Sequence, residues 1–114
     1  MAERQIQDQH LHTQGQVATR RRSVIQALAN RHDELEEMGV RYLAVFGSVA
    51  RDEAGTNSDI DILIDLERPA GLLRYAHLEN YLENLLGRAV DLVPYDSVRS
   101  EMKDRIFREA VRVF

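Results

Sequence analysis

The chain has 114 residues, a formal net charge of −4 and no cysteine. That length allows one domain around one core. The charge gives no general basic field to hold nucleic acid, and the missing cysteines exclude a disulfide framework and thiolate chemistry.

The polar stretch Met1–Arg20 lacks the apolar core of a signal peptide, and no apolar run approaches the roughly 20 residues of a membrane span. These features predict a cytoplasmic protein with no membrane partner and no direct, stable nucleic-acid binding. Residues 1–15, rich in Gln, His and Thr with no apolar period, read as a polar segment that is disordered or extends the next helix. Nothing there fixes His10 or His12 as metal ligands. Residues 16–114 read as a single domain. From Gln16 to Met38, Val17, Val24, Leu28, Leu35 and Met38, with Ile25 alongside, fall at helical spacing, and Gly39 suits the helix end. Arg20, Arg21 and Arg22 form either a solvated basic face or a contact for a partner or RNA.

Val40–Phe46 is nearly all apolar and reads as a buried strand. Ser48–Glu53 follows as a short helix or turn, and Ala54-Gly55-Thr56-Asn57 as a loop. Asp59–Leu66 is a second strand, with Ile60, Ile62 and Ile64 on one face. Pro69-Ala70-Gly71 breaks the chain. Leu72–Leu86 is amphipathic, with a stripe of Leu72, Tyr75, Leu78, Leu82, Leu85 and Leu86, and Gly87 ends it. Ala89–Val93 is a third strand, closed by Pro94. Ser97 can cap a last helix, Val98–Ala110, with Met102, Ile106 and Phe107 on its buried side. The apolar residues beyond it, Val111, Val113 and Phe114, either pack on the sheet or meet a partner. The expected fold class is α/β (α+β): a small mixed sheet of three or more strands flanked by helices.

Chemistry concentrates where two strands meet a turn. Asp59 and Asp61 project from one face of a strand, roughly 6.6 Å apart along it. Asp91 interrupts the apolar run Val90-Asp91-Leu92-Val93. Aspartate is a poor strand former, and burying one without a partner or a metal is costly. If the two strands are neighbours in register, the three carboxylates form one patch. Oxygen ligands with open positions suit Mg²⁺. Asp91 alone also fits a solvent-facing edge residue. An EF-hand is excluded, because its glycine and distal glutamate are missing. Gly47 lets a backbone approach a ligand closely, and Ser48 offers a hydroxyl and an N–H at the start of a helical turn. Arg51, one turn on, either reaches a phosphate or pairs with Asp52 or Glu53.

Gly47-Ser48-Val49-Ala50-Arg51, followed eleven residues after Ser48 by Asp59-Ile60-Asp61, with Ser58 before it and Ile62-Leu63-Ile64 after it, resembles the signature of the DNA polymerase β-like nucleotidyltransferase superfamily. The small size and the Val-Asp-Leu-Val strand resemble its minimal, or MNT, branch. The likeness covers Val40–Val93. Asp52 departs from it, because many minimal members carry glycine after the arginine.

The resemblance implies a polymerase β-like fold in which Asp59, Asp61 and Asp91 are catalytic and hold two Mg²⁺ ions. Asp91 would help deprotonate the incoming hydroxyl, and Gly47, Ser48, Arg51 and Ser58 would bind the nucleotide. Two cations about 3.5–4 Å apart clamp the attacking and leaving oxygens of an in-line displacement. The implied reaction is transfer of AMP from ATP to a hydroxyl with release of pyrophosphate. A chain this short is expected to lack a second domain for the acceptor, so a partner would supply that surface. Minimal members resemble the antitoxins of HEPN–MNT toxin–antitoxin pairs, which add AMP to a tyrosine beside the toxin's Arg-x₄₋₆-His motif. No such pair with a following tyrosine occurs here, so the chain resembles the transferase half. Two alternatives stand: an antitoxin that neutralises its toxin by binding alone, and a nucleotidyltransferase acting on a small molecule.

Overall fold

The periodic apolar residues between Val24 and Met38 build two helices where the spacing predicts one. The computed structural model describes residues 20–55 and 57–114, so segment 1–15 and the expected helix start at Gln16 lie outside the described residues, as do His10 and His12. The first helix, α1, spans Arg21–Ala29, and α2 spans His32–Glu37. Between them the Arg31 N–H donates to the Leu28 carbonyl three residues back (3.0 Å), a tightened turn that re-aims the chain. Asn30 and Arg31 stand at the bend, and Asn has low helix propensity. Val24, Leu28 and Leu35 still reach the same core.

Gly39, at φ +91°, turns the chain into strand β1, Val40–Phe46. A single turn of helix, α3 (Gly47–Ala50), follows, and then β2 (Ile60–Leu66). Helix α4 (Leu72–Leu86) crosses over to β3 (Val90–Pro94). A 3₁₀ turn, Tyr95–Ser97, leads to α5 (Ser100–Glu109) and a short β4, Val111–Arg112. The sheet order is β3-β2-β1-β4. β1 is antiparallel to both its neighbours, and β2 is parallel to β3. The parallel pair requires the crossover that α4 supplies.

Four details differ from the sequence expectation. Val111, Val113 and Phe114, expected either to pack on the sheet or to meet a partner, pack on the core as a fourth strand and its extension that the sequence pattern did not reveal. The Val113 N–H donates to the Leu43 carbonyl (2.8 Å), and the Leu43 N–H to Phe114 (3.1 Å). The last helix starts two residues later than predicted, with Arg99 in the capping position and no side-chain cap, so Ser97 does not cap it. Met102 is 42% exposed, and Leu72, at the start of α4, is 89% exposed. Helical spacing assigns a residue to a stripe, but the end of that stripe overhangs the sheet.

The sheet has two unequal faces. On one, Leu43 and Val45 of β1 and Ile60, Ile62 and Ile64 of β2 pack under α1, α2 and α4. On the other, Ala44 and Leu63 meet only Val98 and Ile106 as buried partners beneath α5. Strand alternation puts Asp61 on the α5 face with Leu63. Tyr75 and Tyr81 lie half-buried at the core margin. Among the described residues no helix is long and apolar enough to cross a membrane.

Candidate functional site

The end of β1, the turn α3 and the starts of β2 and β3 meet at one end of the sheet. In the β1–β2 register Phe46 lies opposite Asp61, which brings the following Gly47 against that carboxylate. Gly47 has φ +72°, a conformation that L side chains rarely adopt. A Cβ there would run into Asp61 Oδ2 and stand 3.0 Å from its Cγ. Glycine is therefore required both for the bend and for the closeness of approach. Val49 and Ala50 are buried and anchor the turn beneath it.

Asp61 and Asp91 are register partners on adjacent parallel strands, and so share one face. Asp59 immediately precedes β2 and shares the parity of Asp61. Asp61 is half-buried, whereas Asp59 and Asp91 are exposed. The burial cost expected for Asp91 therefore does not arise, and the strain gathers on Asp61. Its pKa is pushed up to about 6, first by desolvation and then by the charges of Asp91 and Asp59, with Arg51 pulling the other way.

Arg51 takes the ion-pair reading, with Glu53 and with Glu109, a partner the sequence did not suggest. Its Nε donates to Glu53 (3.3 Å), and its Nη1 donates to both carboxylate oxygens of Glu109 at 3.1 Å. Glu109 Oε1 also accepts the Gly47 N–H at 3.0 Å. The Ser58 hydroxyl accepts the Gly55 N–H (2.9 Å) and closes the loop that delivers Asp59. Asp52 does not pair with Arg51, whose partners are Glu53 and Glu109. It stands at φ +59°, the one non-glycine residue with positive φ among those described, and its Oδ1 accepts the Arg21 N–H at 3.0 Å. The Arg21 guanidinium in turn donates to the Ala50 carbonyl at 3.1 Å. Arg21 thus ties α1 to the turn.

A cleft of about 300 Å³ opens here. Phe46, Gly47, Ser48, Arg51 and Asp61 form one wall, and Met102, Arg105, Ile106 and Glu109 of α5 form the other. Arg105 and Glu109 are the residues that sequence reasoning missed. Their signal was the spacing of 102, 105, 106 and 109, one face of a helix, but two charges on that face read as solvent-facing.

The donor set fits a hard divalent cation. Carboxylate oxygens suit such an ion, and a cation would relieve the repulsion that Asp91 and Asp59 exert on Asp61. As they stand, no three His, Cys, Asp or Glu side chains among the described residues are gathered tightly enough to grip an ion. The pairing register brings the carboxylates to one patch, but their side chains are not closed on one point.

Comparison with known proteins places the chain in a family. The profile of the nucleotidyltransferase domain matches residues 25–113. Protein adenylyltransferase MntA of Thermococcus cleftensis is 46% identical over 85 residues, covering 75% of this chain and 86% of that protein. A solved structure assigned as a minimal nucleotidyltransferase superposes with a TM-score of 0.64 at 35% identity, over 76% of this chain and 93% of the other. The MNT antitoxin structure solved with a tri-AMPylated HEPN toxin of Shewanella oneidensis shares the fold, with a TM-score of 0.59 at 19% identity, over 79% of this chain and 71% of the other. With a family profile spanning most of its length and a relative this similar, the chain belongs to the nucleotidyltransferase domain family, among its minimal members.

Proposed function

We propose that this chain transfers AMP from ATP to a hydroxyl, most simply a tyrosine, on a partner HEPN toxin, and so acts as its antitoxin. One observation carries the chemistry: Asp61 and Asp91 are register partners beside the Gly47-Ser48 turn. The partner class rests on likeness to MntA and to the MNT fold solved with a HEPN toxin.

Asp59, Asp61 and Asp91 would hold magnesium, which when bound supplies charge neutralisation for the triphosphate and the attacking oxygen. The Gly47 N–H, Ser48 and Arg51 would orient the phosphates. Asp91, exposed and facing Asp61, would take the proton of the incoming hydroxyl. The hydroxyl oxygen then bonds to the α-phosphorus, the bond from that phosphorus to the bridging oxygen breaks, and pyrophosphate leaves with the electron pair. The chain's contribution is positioning and charge.

The test is label transfer from α-³²P ATP with magnesium to the co-expressed partner, identified by mass spectrometry of the added AMP. The double variant Asp59→Asn, Asp61→Asn should lose labelling by at least about 100-fold while keeping its circular dichroism spectrum. Undiminished labelling would remove these carboxylates from the reaction. Lost labelling with full toxin neutralisation would show that binding alone protects the cell.

A further inference from the structure

Helix α5 carries residues that the nucleotidyltransferase reading does not use, yet they form half of the cleft. Met102, Arg105, Ile106 and Glu109 recur at the spacing of one helical face. Ile106 is the buried anchor of that face. The two charged members differ in their surroundings. Glu109 is engaged by the Gly47 N–H at 3.0 Å and by Arg51 at 3.1 Å. These donors are the ones assigned above to a phosphate. A carboxylate and a phosphate oxygen have the same acceptor chemistry and sign. Arg105 lines the same cleft, and no ion pair binds it among the described residues.

We infer that α5 is the second wall of the triphosphate site, with Arg105 as a phosphate-binding residue and Glu109 as the internal anion that the triphosphate displaces from Gly47 and Arg51. The inference rests on the nucleotide reading of the cleft and adds residues to it. When a triphosphate enters, the Gly47 N–H and the Arg51 guanidinium exchange one anion for another. Arg105 then meets the added negative charge. Removing Glu109 frees the cradle, and removing Arg105 weakens it. Two residues one turn apart on one helix therefore act with opposite signs, which a merely structural role for α5 would not produce.

The experiment is calorimetric titration of the full chain with ATP and magnesium, and separately with inorganic tripolyphosphate. Arg105→Ala should raise the Kd of both about tenfold, the scale of one charge-assisted contact, and Arg105→Lys should recover part of that loss. Glu109→Gln should lower the Kd about threefold, and Glu109→Ala at least as much. Circular dichroism and melting of each variant confirm that the fold is intact. If the unaltered chain binds ATP but Glu109→Gln weakens binding, Glu109 serves the ligand and the inference fails, while the nucleotide reading stands. An unchanged Kd in Arg105→Ala overturns it equally. If the unaltered chain binds neither ATP nor tripolyphosphate, both readings fall together.

Discussion

Asp52 shows how a side chain is accommodated in the left-handed region of the backbone. At φ +59° the position suits glycine, and an aspartate there bears backbone strain. Its carboxylate accepts the Arg21 N–H at the start of α1, a donor that has no partner within the helix. The contact is one glycine could not make, and it sets α1 against the turn that carries Gly47. Asp61 is strained in another way. Its folded pKa of about 6 stands above the ordinary value of 3.8, chiefly through burial and then through Asp91 and Asp59. Between those pH values the folded chain holds a proton that the unfolded chain has lost. This contribution to stability is full below pH 3.8 and is lost as pH rises through about 6. Asp61→Asn carries no such penalty. In metal-free buffer it should therefore match the parent near pH 3.5 and exceed it by about 1–2 kcal/mol at pH 7.5, less than the full shift implies because solvent reaches the group. Urea denaturation at the two pH values checks this, and a gap independent of pH would contradict it.

At the scale of elements, β4 is the piece that holds the edge of the sheet. It pairs with β1 at Ala44 and Val45, and its extension adds the Val113–Leu43 and Leu43–Phe114 hydrogen bonds, at 2.8 and 3.1 Å. Val111, Val113 and Phe114 pack on the larger core, and the Phe114 ring stacks on His32 with centroids 3.9 Å apart. Ending the chain at Ala110 should cost about 2–4 kcal/mol in urea denaturation and promote association through the bared β1 edge. A loss under about 1 kcal/mol would mean that the strand is ornamental. This strand was also the hardest element to read in the sequence. Val111-Arg112-Val113 alternates, but three residues are too few to separate a strand from the end of a helix, and the pairing partner lies some 70 residues away. The β1 and β2 runs were legible because their apolar residues are continuous and bounded by Gly39, Gly47 and the Asp-x-Asp pair. Asp59, Asp61 and the Gly47 turn were legible for the same reason: the motif is local. Glu109 was not, since its meaning lies in contacts with Gly47 and Arg51 about sixty residues earlier. The break between α1 and α2 was hidden because Leu28 and Leu35 keep their heptad spacing across it.

The whole molecule is built unevenly about its sheet. One face carries three helices over Leu43, Val45, Ile60, Ile62 and Ile64, which are fully buried. The other holds α5 by Val98 and Ile106 against Ala44 and Leu63, with half-buried Phe46, Val93 and Phe107 around them. Apolar burial sets how much free energy opposes a local opening, so the two faces open at different costs. The thin face is also the one that carries Asp61 and the cleft. On the proposed function, a site that admits a nucleotide and presents it to a second protein would be served by a wall able to move without unfolding the core. Hydrogen exchange measures this directly. The amides of α5 should exchange at least about 100-fold faster than those of β1 and β2, which open only with the whole fold. Saturating ATP with magnesium should slow α5 selectively, because the contact inferred between Arg105 and the bound phosphates ties α5 to the ligand and stabilises the ordered helix. Equal protection of α5 and the central strands would show that the small cluster is as strong as the large one. Protection gained uniformly across the chain would place the ligand away from α5.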